Sequence, residues 1–536
     1  MAESKDISFT SPPAAVQAQR QLEDARRFLD TGDASKAQEV CRDLLGAHPE
    51  YVEALATLGR AYLAEKNHDA ALPCFLRASM LAADDPAILT DLADIYFHLG
   101  SHDMARQTAE HVLTLSPGKD AAYAAHLLIG RVCYHQNDYG AAIAHLEQVK
   151  SASQDTEDAA FLLGLCHLET GNRKEAIATL TVAMKSGLPA LEHAEALYRL
   201  SHVSDAAQAK KLLKELDAFE EEAPSFASEE EEQRFAAFRD FARAALLGRA
   251  GNAEDAWELL ESANSSMGGG FQEAQQQLRE ADEHIIQRAS EWIYAGAPLD
   301  DISEQGPLSL FILGLPSSGK STLERLVGAV DGVAKGFDHD LVQVAARETA
   351  TSNGFLPLNF PGQLPTSAHR QFTKTYARAT KARAQGAEVL TCTNSDLLAD
   401  LGRIAETVQR MKVVFLTRDH DDTALRIFEQ YFADGSNPYS YNVSAIYEQF
   451  EVYTRLSDAW AEALHGVCLR VSYEDLVSDP QATLKRVADF CALDASDTEI
   501  PDLGDDRGCA EPYRDKLDRA RSGAIAPLSG WAMPEL

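Results

Sequence analysis

The stretch LSLFILGLPSSGKSTLERLV, Leu308 to Val327, decides the architecture of the C-terminal half of the chain. Leu308–Leu313 is a short apolar run with the length of a buried strand. Gly314-Leu-Pro-Ser-Ser-Gly-Lys-Ser321 follows and fits the pattern G-x-x-x-x-G-K-[ST]. An amphipathic stretch from Thr322 to Val330 comes next, so the local order is strand, glycine-rich loop, helix. Consecutive backbone N–H groups in such a loop form an anion nest, and the helix aims its positive end at the same point. Lys320 adds a charge that folds back onto bound phosphate, and Ser321 and Thr322 add hydroxyl donors. The motif therefore predicts a phosphate site.

Three more apolar runs follow: Glu388–Thr393, Lys412–Thr417 and Val467–Ser472. Helical patterns alternate with them over Leu397–Met411, Thr423–Phe432, Ala445–Leu464 and Pro480–Cys491. Asp479 stands as N-cap of the last, with Pro480 at its first position. That alternation predicts a central parallel sheet with helices on both faces, and the phosphate site at the carboxyl ends of its strands. A kinase or ATPase would hold magnesium with an acidic residue at the end of a neighbouring strand. Here Lys412–Thr417 ends instead in Arg418-Asp419, which suggests a second anion-binding position.

The N-terminal half reads differently. Small residues recur at Gly59, Ala93, Gly130 and Gly164, with gaps of 34, 37 and 34. Ala71, Ala105, Ala142 and Ala176 keep step, as do Phe75, Ala109, Leu146 and Leu180. Such a period is the signature of stacked helix-turn-helix repeats, in which small residues permit close helix crossing. This resembles the tetratricopeptide (TPR) family, strongly over residues 52–186 and more weakly in a first repeat carrying Phe28, Ala37 and Pro49. The divisions expected are repeats over 15–186, further helical repeats and a connecting helix over 187–297, and an α/β domain over 306–536. Stacked repeats present a concave face that binds proteins or peptides.

Composition narrows the function classes. The 536 residues carry a formal charge of −34, of which −23 lies before residue 301 and −11 after it. That acidity argues against nucleic acid as a partner, because nothing offsets phosphate repulsion. No apolar run is long enough for a membrane span, and Met1–Pro13 has no apolar signal region. The eight cysteines stand singly, with no CxxC pair, as expected of reduced thiols in a cytoplasmic protein.

Phe415–Asn442 (FLTRDHDDTALRIFEQYFADGSNPYSYN), Trp460 and Val471–Pro480 (VSYEDLVSDP) carry a second resemblance. Together with the repeats, they make the chain similar to bacterial TPR–sulfotransferases, and its catalytic half to tyrosylprotein sulfotransferases. The implied fold is an α-helical TPR solenoid followed by an α/β P-loop-like sulfotransferase domain with a central parallel sheet. The implied reaction moves a sulfuryl group from 3′-phosphoadenosine-5′-phosphosulfate (PAPS) to a hydroxyl, with no metal. By this resemblance Pro316, Ser317, Ser318, Gly319, Lys320, Ser321 and Thr322 bind the 5′-phosphosulfate. Arg418 and Arg426 stand at the two positions that bind the 3′-phosphate. Asp338, or the adjacent His339, falls near the family's catalytic carboxylate, and Trp531 near its closing loop.

The chain departs from the family at named positions. Ser317 replaces a loop Arg or Lys, with Lys320 three positions on. Arg426 replaces a serine, His420 a proline, and Thr391-Cys-Thr-Asn394 a segment that normally holds a lysine. Two alternatives therefore stand beside the sulfotransferase: the same fold used as a catalytically impaired scaffold or nucleotide-binding protein, and a P-loop nucleotide hydrolase or kinase.

Overall fold

The structure, a computed structural model, describes residues 12–152, 157–221, 224–226, 228–269, 271–292, 306–360, 363–408, 410–432 and 437–522. The chain forms two compact units, residues 1–167 with 181–186, and residues 168–180 with 187–536.

In the first unit, antiparallel helix pairs repeat: Val52–Ala64 with His68–Leu81, Pro86–His98 with His102–Thr114, and Lys119–His135 with Tyr139–Ala152. The small residues of the 34-residue series lie where the two helices of a pair cross. A Cβ placed on Gly59 would stand 2.2 Å from Phe75 Cε2, and one on Gly130 would stand 2.7 Å from Leu146 Cγ. The repeat is also written in the turns. Gly32, Lys66, Gly100, Asn137 and Gly171 all take positive φ, at intervals of 34, 34, 37 and 34. The residue after each opens the next helix; Asp33 and Asn67 accept from the N–H groups of Lys36 and Ala70. Lys66 and Asn137 occupy a conformation that glycine takes more cheaply, which hid this series from the sequence. Gly59→Val should lower stability by about 2–3 kcal/mol through overpacking. Urea unfolding of the full chain followed by circular dichroism reads this out, and adding Phe75→Leu should restore part of the loss. No shift in the Gly59→Val midpoint would show that the crossing is loose.

The second unit contains a five-stranded, all-parallel sheet in the order β2-β3-β1-β4-β5. Its strands are β1 (Leu308–Leu313), β2 (Val333–Ala334), β3 (Val389–Cys392), β4 (Met411–Thr417) and β5 (Cys468–Ser472). All six residues of β1 are buried, because both faces of the sheet are covered. Leu308, Leu310 and Ile312 pack with Leu323, Leu326 and Val487, whereas Phe311 and Leu313 pack with Phe372, Ile404 and Trp460. Helices Ala190–Ser201, Glu229–Arg249 and Ala253–Gly268 share a core with this domain: Phe238, Phe241 and Trp257 cluster with Phe428, Tyr441 and Tyr513.

Several element boundaries differ from the sequence expectation. The helix expected over Leu397–Met411 is a 3-10 turn at Ser395–Asp400 and a short helix at Leu401–Thr407, since Met411 already belongs to β4. The helix expected at Thr423–Phe432 runs His420–Phe428, started by the Asp419 side chain accepting from Asp422 N–H. Strand β2 and helices Leu341–Asn353 and Thr366–Ala384 were not anticipated; two residues give β2 too little pattern to read. Most of the linker 295–307 and the segment 523–536, with Trp531, lie outside the described residues.

Candidate anion site at the carboxyl edge of the sheet

The glycine-rich loop leaves β1 in the middle of the sheet and enters the helix Lys320–Val327. The chain crosses to β3 on one side of β1 and to β4 on the other, so a crevice opens at this edge. Tyr453, buried on helix Val443–Ala463, donates from one hydroxyl at 3.0 Å to both Leu313 O and Leu416 O, tying the ends of β1 and β4 together. The loop needs both its glycines. A Cβ on Gly314 would meet Ser318 Oγ at 2.3 Å and Leu416 O at 3.1 Å. Gly319 caps the helix with φ +98°, and a Cβ there would lie 2.5 Å from the Tyr473 ring.

Within this loop Ser318 is 4% exposed, and among the described residues its hydroxyl has no hydrogen-bond partner. The N–H groups of Lys320, Ser321 and Thr322 head the helix, where no intrahelical acceptor reaches them. Lys320 Nζ donates to Ser395 Oγ, which in turn donates to Gly314 O at 2.6 Å, so the turn after β3 orients the ammonium over its own loop. Burial pulls the Lys320 pKa down, while the charges of Asp338 and Asp396 oppose the shift.

The expected base segment lies next to the loop helix. Glu324, missed by the sequence reading, is 1% exposed on that helix. It accepts from Phe337 N–H at 2.9 Å and from the Thr391 hydroxyl. Burial pushes its carboxyl up to about 7, against those two hydrogen bonds. It thereby clamps the turn that carries Asp338. Asp338 is exposed, accepts from Thr393 Oγ1 at 2.5 Å and lies within electrostatic reach of Lys320. His339 is buried at 2% exposure, and burial with the Arg383 charge holds it down to about 4, so the ring is neutral.

Arg418, just after β4, and Arg426, on the following helix, come together on Asp506, so they are not free cations. Arg418 donates to Ser317 O at 3.0 Å, Asp506 O at 2.8 Å and Asp506 Oδ2 at 3.1 Å, and its guanidinium lies 4.5 Å from the Tyr473 ring centroid. Arg426 donates to both Asp506 oxygens and to Glu429 Oε2. Burial raises the Asp506 carboxyl, but the hydrogen bonds and charge of Arg426, then of Arg418, outweigh it and hold it down at about 2. The Asp506 segment is itself pinned: Gly508 and Ala510 donate backbone N–H groups to Asp422. Asp506, some 80 residues from either arginine, carried no sequence signal.

A cleft of about 580 Å³ adjoins the loop. Glu169, Tyr198, Arg199, Arg234, Gln430 and Tyr431 are among its lining residues. Gln430 donates to Ser317 Oγ at 2.7 Å, linking cleft and loop. Arg199 lies 3.3 Å from Glu195 and 3.7 Å from Glu169. Burial raises the Glu169 carboxyl, against the charge of Arg199 and with a further push from Asp338. Among the described residues no cluster of three or more His, Cys, Asp or Glu is placed to hold a metal ion. No described helix is long and apolar enough to cross a membrane.

Fold and site together define an α/β domain with a strand–glycine loop–helix anion site, preceded by helical repeats. Comparison with known families says which. Residues 307–497 match the sulfotransferase family, and residues 84–155 and 28–90 match tetratricopeptide repeats. Residues 135–211 match the anaphase-promoting complex, cyclosome, subunit 3 family. The chain is thus a tetratricopeptide array fused to a sulfotransferase-family domain. No curated protein matches the chain. Similar solved structures include MamA, at 21% identity over 30% of this chain and 93% of that one, with a TM-score of 0.27. PilF of Pseudomonas aeruginosa is 12% identical over 45% and 95%, with a TM-score of 0.33. The P58(IPK) TPR domain is 15% identical over 82% and 98%, with a TM-score of 0.21.

Proposed function

We propose that the chain is a PAPS-dependent sulfotransferase acting on an acceptor hydroxyl, with the repeats engaging a protein or peptide. The observation that carries this reading is the loop: a buried, unpartnered Ser318 hydroxyl beside the Lys320 ammonium and the head of a helix. That donor set suits the phosphosulfate end of the nucleotide, which when bound supplies an electrophilic sulfuryl group on a phosphate leaving group. In this reading the loop N–H groups and Lys320 stabilise negative charge growing on the bridging oxygen. Ser318, Ser321 and Thr322 hold the phosphate oxygens, while Ser395 keeps Lys320 aimed. Asp338 takes the acceptor proton, its turn held rigid by Glu324. Asp338 is preferred to His339 because it is exposed beside Lys320, whereas His339 is buried. The acceptor enters through the cleft at Gln430 and Tyr431, which reaches Ser317 in one hydrogen bond.

The 3′-phosphate end fits less simply, since Arg418 and Arg426 already share Asp506. That is the observation behind the second reading, a sulfotransferase fold retained as a scaffold. Calorimetry should show tighter binding of 3′,5′-bisphosphoadenosine than of ADP with magnesium, and ³⁵S-labelled PAPS should label an acceptor in lysate. The reverse order of affinity would exclude the sulfotransferase reading. Nucleotide binding without a labelled acceptor would favour the scaffold.

A further inference from the structure

The left-handed turn residues Gly32, Lys66, Gly100, Asn137 and Gly171 hold equivalent places in the repeats, but their surroundings differ. A Cβ on Gly32 or Gly100 would meet nothing within 4 Å, and Lys66 and Asn137 carry full side chains there. At Gly171 a Cβ would collide with the guanidinium of Arg325. Glycine at this turn thus makes room for a neighbour as well as for the backbone angle. The turn belongs to the second compact unit, and Arg325 stands on the helix Lys320–Val327 that follows the glycine loop. Arg325 donates to Gly171 O at 3.4 Å and to Leu503 O at 3.0 Å. Arg173, two residues past Gly171, approaches the same segment: a Cβ on Gly504, at φ +68°, would lie 3.3 Å from its Nη1. Leu503 is buried in one cluster with Leu323 and Leu326 of the loop helix. Three residues on, Asp506 seats its carboxylate between Arg418 and Arg426.

Both of these acceptors are backbone oxygens, and one belongs to the segment whose carboxylate fills the arginine pair. We propose that Arg325 is a positioning residue for the 3′-phosphate position, acting through Asp506, with the Gly171 turn as its anchor. This rests on the reading that Arg418 and Arg426 take the 3′-phosphate. To admit that phosphate, the Asp506 carboxylate must leave the guanidiniums, and the chain from Leu503 must shift with it. The bond from Arg325 to Leu503 O is kept while Asp506 is seated and lost on that shift, so it holds the carboxylate in place. A hydrogen bond from a charged donor contributes enough to change such a balance several-fold. The last turn of the series thereby bears on which nucleotide the domain prefers, beyond any docking role of the repeats.

The test measures binding of 3′,5′-bisphosphoadenosine and of 5′-AMP to the full chain by titration calorimetry. Arg325→Gln removes the charged donor. Gly171→Asn displaces the guanidinium by a second route, with a residue that the equivalent position 137 already accepts at φ +54°. Each should tighten 3′,5′-bisphosphoadenosine about fivefold and leave 5′-AMP unchanged. In an Asp506→Asn background either change should shift the ratio of the two affinities less than about twofold, since the carboxylate being held is gone. A purely structural role for Arg325 would move both nucleotides together. An unchanged or lowered ratio in Arg325→Gln or Gly171→Asn, beside a raised one in Asp506→Asn, would overturn this proposal alone, as would a gain undiminished in the Asp506→Asn background. A ratio unmoved in all three variants would overturn the 3′-phosphate reading and this proposal with it.

Discussion

Replacing Lys320 by alanine weakens binding of 3′,5′-bisphosphoadenosine by about 100-fold while leaving the melting temperature unchanged or slightly raised. The magnitude follows from losing the one cation that the loop itself carries, at a site already poor in solvent. Burial disfavours that ammonium, as the downward pull on its pKa records, so the ligand-free protein bears its desolvation as a cost. Alanine removes the cost, and Ser395 keeps its bond to Gly314 O. Calorimetry on the purified variant, with a thermal melt alongside, measures both quantities. Affinity equal to the parent's would place the nucleotide elsewhere on the protein.

Asp506→Asn has the opposite sign. It should tighten 3′,5′-bisphosphoadenosine about tenfold and leave 5′-AMP unchanged. Arg418 and Arg426 bring two positive charges, and Asp506 with Glu429 brings two negative ones, so the charges of these four paired groups sum to zero. A 3′-phosphate must compete with a carboxylate already seated between the guanidiniums. Asparagine keeps the shape and an acceptor oxygen but frees one positive charge. The same change should lower stability by about 1–3 kcal/mol, because the buried guanidiniums lose their anionic partner. Acid cannot substitute for the mutation under ordinary conditions. The folded pKa near 2 lies below the unfolded value of 3.8, so this contribution to stability is present above about pH 4 and lost only as pH falls through about 2. Parallel titrations with the two nucleotides measure the effect. Equal gains for both would show that the arginines do not sense the 3′ position, and a weaker 3′,5′-bisphosphoadenosine would make Asp506 part of the binding site.

Much of this protein was legible in its sequence because local patterns carry physical requirements. The 34-residue series could be read because Gly59 must admit Phe75 and Gly130 must admit Leu146, which leaves small residues at fixed intervals. The loop could be read because only glycine tolerates the approach of Ser318 to position 314 and the φ of +98° at position 319. The matching turn series stayed hidden, because Lys66 and Asn137 accept left-handed backbone and break the glycine pattern.

Local sequence by itself determined the order of elements: repeats first, then a parallel sheet with a phosphate loop after β1 and an arginine after β4. Each of these rests on interactions a few residues apart, whose periodicity the chain displays. Tertiary structure alone decided the electrostatic state of the site. Ser395 orients Lys320 across 75 residues, Glu324 clamps the turn before Asp338, and Asp506 bridges two arginines from 80 and 88 residues away. A carboxylate's effect depends on the charges within a few ångströms of it, and no spacing rule in the sequence encodes which distant residue the fold will bring there.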